Sequence, residues 1–161
     1  MAGEFHVSRR AVIRTATDGD VADIERIVAA AYAPYVSRIG REPAPMTVDY
    51  LRAVSDTDHV HVLVKDDETV GVLVMVPESD HVFVDSVAVS GGHQGRGYGR
   101  ALLEYAEQRA RDLRLPRVRL YTNAAMTENL ALYPHLGYRE TRRGYEDGFH
   151  RVFFERSVDL P

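Results

Sequence analysis

The sequence predicts a mixed α/β fold, a three-layer sandwich of α/β or α+β type in which helices cover a central sheet. Three strand-like segments follow one another in the middle of the chain, and amphipathic segments lie before and after them. The composition, 45% apolar and 27% charged residues, is that of a globular protein. The 161 residues suit one domain, residues 1–161, with a core of about residues 10–156.

The N-terminal part of the chain predicts a strand, a helix, an irregular segment and a short helix. Arg10–Ala16 favours a strand, after which Thr17 and Asp18 can cap a helix that runs to Tyr32 with apolar residues at helical spacing. The next two segments are an irregular one, Tyr35–Pro45, and a short helix, Val48–Val54, capped by Thr47.

The middle of the chain predicts an antiparallel meander followed by a long helix. Three β-rich runs are separated by short polar turns; they are His59–Lys65, Thr69–Val76 and Val82–Val89. A glycine-rich segment, Gly91–Gly99, then leads into an amphipathic helix that ends before Pro116. A strand, a short helix and two closing strands complete the chain: Val118–Tyr121, Thr127–Leu136, Gly137–Glu140 and Arg151–Arg156.

Composition and charge argue against several classes of protein. The net charge of −4 is unlike that of a general nucleic-acid binder, which is normally basic. No apolar stretch approaches the ~20 residues of a membrane span, and Met1–Ser8 does not resemble a secretory signal. There are no cysteines, and His59 and His61 lack the further protein ligand that a zinc site needs. We expect a cytoplasmic protein that binds no metal, nucleic acid or membrane.

The glycine-rich segment is the strongest functional signal. Gly91–Gly99 contains five glycines between a buried strand and the start of a helix. Glycines let the backbone approach a ligand closely, and a helix N-terminus presents unpaired amides, so the segment suits a pyrophosphate. A P-loop would need a lysine here, and a dinucleotide-binding loop would need a different glycine spacing. The alternative is a glycine-rich turn with no ligand.

Two motifs resemble those of the GNAT acetyltransferase superfamily. Gln94–Gly99 looks like the pyrophosphate loop of that family, and the preceding Asp85–Val89 looks like its central strand. Downstream, Glu128–Tyr138 is similar to the second signature, and the order of elements fits from about Arg10 to Arg156. The resemblance implies the acyl-CoA N-acyltransferase fold with a mixed central sheet and acetyl-CoA as co-substrate.

The resemblance also implies which residues bind acetyl-CoA. The backbone amides from Gln94 to Arg100 would hold the pyrophosphate, with help from the side chain of Arg96 or Arg100. Val87 and Val89 would bind the pantetheine arm through their backbone, and the Val89 amide would face the thioester carbonyl. Asn129 would contact the cofactor or cap the local backbone. The full implied set is Val87, Ala88, Val89, Gln94, Gly95, Arg96, Gly97, Tyr98, Gly99, Arg100, Asn129 and Tyr133.

Two residues are candidates for proton transfer. Tyr133 matches the family's usual acid, which protonates the leaving thiolate; the alternative is a packed aromatic, and Pro134 predicts a helix break beside it. Asp85 is the best-placed base on the central strand, where alternation predicts that it shares a face with Phe83 and Val87. It could equally be a salt-bridge partner or an anchor for the substrate amine, with ordered water serving as base.

The acceptor is expected to be the amine of a small molecule or peptide. The resemblance places its pocket between Tyr32–Tyr50 and Arg139–His150, and the candidate contacts are Tyr32, Tyr35, Arg38 and Asp85. In the first of these segments arginines could hold a carboxylate and acidic residues an ammonium, and the sequence does not choose. A non-catalytic acetyl-CoA sensor and a longer acyl donor are the alternatives. A homodimer through a C-terminal edge strand, Arg151–Arg156, follows by analogy alone.

Overall fold

The computed structural model describes residues 3–160, which form one sheet with helices on both faces. The strands are β1 (Phe5–Ser8), β2 (Ala11–Thr15), β3 (Val60–Lys65), β4 (Glu68–Pro77), β5 (Val82–Val89), β6 (Arg117–Asn123), β7 (Arg139–Glu146) and β8 (Phe149–Ser157). The helices are α1 (Val21–Tyr32), α2 (Val36–Ile39), α3 (Tyr50–Asp56), α4 (Tyr98–Asp112) and α5 (Thr127–His135). None of the helices in this part of the chain is long and apolar enough to cross a membrane.

The sheet is mixed, as expected for the fold. Its order is β1-β2-β3-β4-β5-β6-β8-β7, and every neighbouring pair is antiparallel except β5 and β6. A parallel pair needs a crossover connection, which α4 supplies. The two aspartates of the β3–β4 turn, Asp66 and Asp67, have φ of 48° and 65°, the left-handed values that a tight hairpin requires.

Two apolar clusters fill the space between the sheet and its helices. On one face, Leu102 and Ala106 of α4 are buried against Leu63 and Leu73 of the sheet. On the other face, Ile24 of α1 and its neighbours pack with α3 and with the opposite side of β3 and β4. The predicted sandwich of helices, sheet and helices is therefore what the structure shows.

Several elements differ from the sequence-based expectation. A first strand, β1, precedes the expected one, because Phe5 packs on Tyr105 of α4 and extends the sheet by one strand. Asp49, not Thr47, caps α3 by accepting a hydrogen bond of 3.1 Å from the Arg52 amide. The irregular segment contains α2 and flanking 3-10 turns.

The C-terminal hairpin also corrects the prediction. β7 and β8 are both longer than expected, and β8 lies between β6 and β7. The segment Arg151–Arg156 is therefore not an edge strand, and β7 takes that position.

A bulge in β5 decides which side chains reach the site. Val74 of β4 lies opposite Ser86, but Met75 lies opposite Val84, so Asp85 is an extra residue without a partner. Val84, before the bulge, and Val87, after it, both face α4. In a regular strand, residues three positions apart point to opposite faces. The expectation that Phe83, Asp85 and Val87 share one face is wrong, because the bulge reverses the alternation.

Candidate active site

A cleft opens where β5 and β6 separate. The two strands pair only as far as Val84 and Leu120, and the β5 bulge follows immediately. Beyond that point a cavity of about 330 Å³ lies between the second half of β5, the end of β6 and the helices α1 and α5. The bulge bends one strand away from its neighbour, which leaves the facing backbone edge of β5 unpaired.

The free edge of β5 is marked by two hydrogen bonds. The Tyr32 hydroxyl donates to the Val87 carbonyl at 3.2 Å, and the Gln94 side chain donates to the Val89 carbonyl at 3.2 Å. A strand residue directs its amide and its carbonyl to the same edge. The amides of Val87 and Val89 therefore face the cleft.

Ala88 has the opposite orientation. It lies opposite Val72 of β4, and the Ser90 amide two residues later bonds to the Val70 carbonyl at 2.8 Å. The Ala88 backbone thus pairs within the sheet, and its side chain is buried beside α1. Of the three β5 residues expected to bind the cofactor, only Val87 and Val89 present backbone groups to the cleft.

The glycine-rich loop ends at the N-terminus of α4. Gly95 and Gly97 have φ of 78° and 83°, values that side chains other than glycine rarely adopt, while a Cβ at either position would meet nothing within 4 Å. Backbone conformation, not crowding, therefore requires these glycines. Gly97 is the N-cap and provides no side-chain bond, and the first helical bond joins the Ala101 amide to the Gly97 carbonyl at 3.0 Å.

The amides at the start of α4 are consequently free for an anion. The helix contributes a partial positive charge at the same point, and Gly99 lines the cavity next to Val89. Tyr98 is half-buried, whereas Arg96 and Arg100 are exposed and form no ion pair with any residue of the described chain. The loop therefore presents free backbone amides at the start of α4, and its binding of a pyrophosphate stays a prediction.

Tyr133 lies inside α5 and lines the cavity. The helix continues through Pro134 to His135, so the expected break does not occur. The ring packs on Phe154 at 5.5 Å between centroids, and the hydroxyl has no hydrogen-bond partner among residues 3–160. Burial raises the pKa of Tyr133 to about 12, so the hydroxyl keeps its proton at neutral pH.

Asp85, the bulge residue, lines the same cavity. It accepts a hydrogen bond of 3.4 Å from the Tyr121 hydroxyl and forms no ion pair within the described chain. Burial raises the pKa of this carboxyl, while the Tyr121 bond and the charge of Arg151 oppose the shift. A carboxylate with a raised pKa is a stronger base, although it can equally bind an ammonium.

The acceptor-side candidates divide into two groups. Tyr32 and Tyr35 line the cavity, but Arg38 lies outside it in an ion pair of 2.7 Å with Glu128 on α5. The Tyr35 hydroxyl donates to the same carboxylate at 2.6 Å. The Tyr35 and Arg38 contacts hold the pKa of Glu128 at about 2. Arg38 is therefore a link between α2 and α5, and the expectation that it binds substrate is not supported.

Asn129 does not take one of its two expected roles, capping of the local backbone, and its contact with the cofactor stays a prediction. It lines the cavity, and its amide group donates to the Thr122 hydroxyl of β6 at 3.1 Å. This bond joins α5 to β6 and does not cap the helix backbone.

A family comparison agrees with this arrangement. The model of the Acetyltransferase (GNAT) family matches residues 23–138, which include β5, the glycine-rich loop and α5. The chain belongs to the GNAT acetyltransferase family. Both motifs that carried the resemblance lie within the matched residues. No curated protein matches the chain in sequence.

Solved structures share the GNAT fold over nearly the whole chain. The ribosomal-protein-S18-alanine N-acetyltransferase from Escherichia coli has a TM-score of 0.71 at 18% identity, covering 94% of this chain and 96% of that one. YncA from Salmonella typhimurium, solved with its cofactor acetyl-CoA, has a TM-score of 0.69 at 22% identity, covering 94% and 95%. A GNAT acetyltransferase from Listeria monocytogenes has a TM-score of 0.73 at 13% identity, covering 97% and 100%.

Tyr121 and Arg151 are among the cavity residues that were not predicted, and Phe149 was included only as part of the range Arg139–His150. Tyr121 of β6 and Phe149 and Arg151 of β8 line the cavity. Arg151 is 6% exposed, and its guanidinium lies 4.3 Å from the centre of the Tyr121 ring. The sequence shows them only as strand residues, and nothing in it indicates that β6 pairs with β5 or that β8 pairs with β6. Within residues 3–160 no group of acidic or histidine side chains is arranged to hold a metal.

Proposed function

We propose that this GNAT protein transfers the acetyl group of acetyl-CoA to a primary amine of a small molecule or peptide, by direct attack in a ternary complex. The observation that carries the proposal is that one cavity joins four features. It contains the free edge of β5, the open N-terminus of α4, the Tyr133 hydroxyl and the Asp85 carboxylate. The first two suit the cofactor and the last two suit proton transfer.

The residues present fit acetyl-CoA. The α4 amides suit its pyrophosphate, and the amides of Val87 and Val89 suit the pantetheine arm as an added strand. When bound, acetyl-CoA supplies the acyl group as a thioester. The Val89 amide would then donate to the carbonyl oxygen, on which negative charge develops during attack. One donor of this kind contributes about 3 kcal/mol to the transition state.

The chain's side chains would move two protons. The amine must lose a proton as its nitrogen bonds to the carbonyl carbon, and Asp85 accepts it directly or through water. The bond from that carbon to sulfur breaks, and Tyr133 protonates the departing sulfur. Burial of Tyr133 keeps its proton in place until the sulfur carries charge, while burial of Asp85 makes the carboxylate a better acceptor.

Release of free coenzyme A tests the proposal. The purified protein is mixed with acetyl-CoA and a panel of small amines, amino acids, polyamines, aminoglycosides and N-terminal peptides, and thiol is measured with time. We expect release above the hydrolytic background for at least one class, with the acetylated amine found by mass spectrometry. Binding of acetyl-CoA without release for any amine would contradict the enzyme and favour a sensor.

A further inference from the structure

The charges that face the cavity are few. Among the described residues that line it, Asp85 is the only acid and Arg151 the only base. Asp85 is half-buried and receives a single hydrogen bond, from Tyr121 at 3.4 Å. A carboxylate in this position has capacity for a further donor, because two oxygens accept several hydrogen bonds.

Arg151 is already neutralised. Its guanidinium lies 2.8 Å from the Glu146 carboxylate and 3.5 Å from that of Asp147. Its flat face rests on the Tyr121 ring. A substrate carboxylate would have to compete with two acidic side chains for one buried guanidinium.

Arg38 and Arg41, the arginines of the segment Tyr32–Tyr50 that were candidates to hold a carboxylate, have partners elsewhere. Arg38 is paired with Glu128. Arg41 donates to the Asp147 carbonyl at 2.6 Å, and its guanidinium lies 3.6 Å from the centre of the Phe149 ring. Neither Arg38 nor Arg41 lines the cavity, so Arg151 is the one arginine that faces it among the described residues.

The cavity that contains Asp85 has several aromatic rings in its lining besides that of Tyr133. Tyr32, Tyr35, Tyr121 and Phe149 supply four rings, and Pro45 closes the side nearest α3. Faces of aromatic rings attract cations and pack well against other rings. The cavity of about 330 Å³ must also hold the acetyl end of the cofactor, which leaves room for a small molecule.

We propose that the acceptor is a small primary amine with an apolar, preferably aromatic, body and no carboxylate. The inference rests on the proposed acetyl transfer and names its substrate class. The ammonium binds at Asp85 and first releases one proton to water, which leaves a neutral amine. The nitrogen then bonds to the acetyl carbon and passes its second proton to Asp85, directly or through water, while the bond from that carbon to sulfur breaks and Tyr133 protonates the sulfur. The ring of the substrate lies among the aromatic walls. An α-amino acid would place its carboxylate beside Asp85 with no free cation to receive it.

Pairs of substrates that differ by the carboxylate alone test the inference. Coenzyme A release is measured for 2-phenylethylamine against phenylalanine and for tyramine against tyrosine, with spermidine and an N-terminal peptide alongside. We expect kcat/KM for each amine to exceed that of its amino acid by at least about 100-fold, since an unpaired charge in a buried site is costly. Equal or better use of the amino acids, the polyamine or the peptide would overturn the substrate class while leaving acetyl transfer intact. Absence of release for every compound, with acetyl-CoA bound, would instead remove the proposed function.

An isosteric variant tests the role of Asp85 in selection. In Asp85→Asn the negative charge is lost, so we expect the ratio of kcat/KM between amine and amino acid to fall at least tenfold while acetyl-CoA affinity is kept. Asp23→Asn, at a partly exposed position of α1 that does not line the cavity, is the matched control and should keep the wild-type ratio. A merely structural role would lower activity toward both substrates equally. An unchanged ratio in Asp85→Asn would therefore overturn the assignment.

Discussion

The two ends of the cleft are built in different ways. The end proposed for acetyl-CoA, called the cofactor end, consists of backbone groups from one continuous segment, the second half of β5 and the loop into α4. The acceptor end consists of side chains from α1, β5, β6 and β8, fixed by hydrogen bonds and ion pairs between distant residues. The cofactor end should therefore tolerate side-chain changes but not changes of backbone conformation, and the acceptor end should behave in the opposite way.

The largest effect is expected for Tyr133, where the two ends meet. Tyr133→Phe removes only a hydroxyl, so we expect kcat to fall about 100-fold or more, as for loss of a general acid. The dissociation constant of acetyl-CoA, measured by calorimetric titration, should not change. Tyr105→Phe, a buried tyrosine of α4 away from the cavity, is the control and should keep kcat. A full kcat in Tyr133→Phe would contradict the role as acid.

The stability of the sheet that carries both ends is also expected to depend on pH. His61 of β3 is buried against Tyr105, and burial lowers its pKa to about 4. The unfolded chain binds this proton near pH 6.5 and the folded chain does not, so stability falls as pH falls from about 6.5 towards 4. Between pH 7 and pH 5 we expect a loss of about 2 kcal/mol in the free energy of unfolding.

Denaturant titrations at the two pH values check this expectation. In His61→Gln the acid-induced loss should shrink, whereas His6→Gln, at an exposed position of β1, should leave it unchanged. An identical loss in wild type and His61→Gln would show that another group is responsible. These titrations also show how much of any loss of activity in acid comes from unfolding. Protonation of Asp85 is a separate effect, because its raised pKa moves the acid limb of the kcat/KM profile to higher pH.

Backbone conformation at the cofactor end is tested at Gly97. In Gly97→Ala the φ of 83° becomes strained by about 1–2 kcal/mol, and the loop can relieve the strain only by moving its amides. We expect acetyl-CoA to bind about tenfold more weakly or worse. Gly40→Ala has the same strain, at φ 89° beyond α2, and should lose stability without losing acetyl-CoA affinity. An unchanged affinity for acetyl-CoA in Gly97→Ala would contradict the expectation that the cofactor end depends on backbone conformation.

The smallest effect concerns the link between α2 and α5. Glu128 is about half exposed, and exposed ion pairs contribute little, so Glu128→Gln should change KM for the amine by about threefold or less. The dissociation constant of acetyl-CoA should stay the same, because the link lies on the acceptor side. Glu104→Gln, exposed on α4, is the control. A larger effect on acetyl-CoA than on the amine would show that the two ends are not separate.

The difference between the two ends also explains which parts of the structure could be predicted from the sequence. The meander, α4 and the glycine-rich loop follow from local periodicity and from one motif, because every group involved lies within a short segment. Asp85 and Tyr133, which both line the cavity, were proposed for proton transfer because each belongs to a recognisable motif. The assignment of side chains to the faces of β5 failed at the bulge, which depends on the register with β4 and is not encoded in β5 alone.

The acceptor end could not be predicted for a related reason. Arg38 meets Glu128 across 90 positions of sequence, and Tyr121 meets Asp85 across 36. Such pairs are formed by the topology of the sheet, and a list of candidate charges does not reveal which of them neutralise one another. Arg38 was expected to bind substrate for this reason, whereas Arg151, buried on β8, was not considered.

Calorimetric titration of the purified protein with acetyl-CoA tests the central claim most directly. We predict saturable binding at one site per chain in wild type, weakened in Gly97→Ala and unchanged in Tyr133→Phe. If wild type gives no binding heat at high-micromolar acetyl-CoA, and the cofactor does not raise the melting temperature, the cleft between β5 and β6 is not a coenzyme A site and the account is wrong.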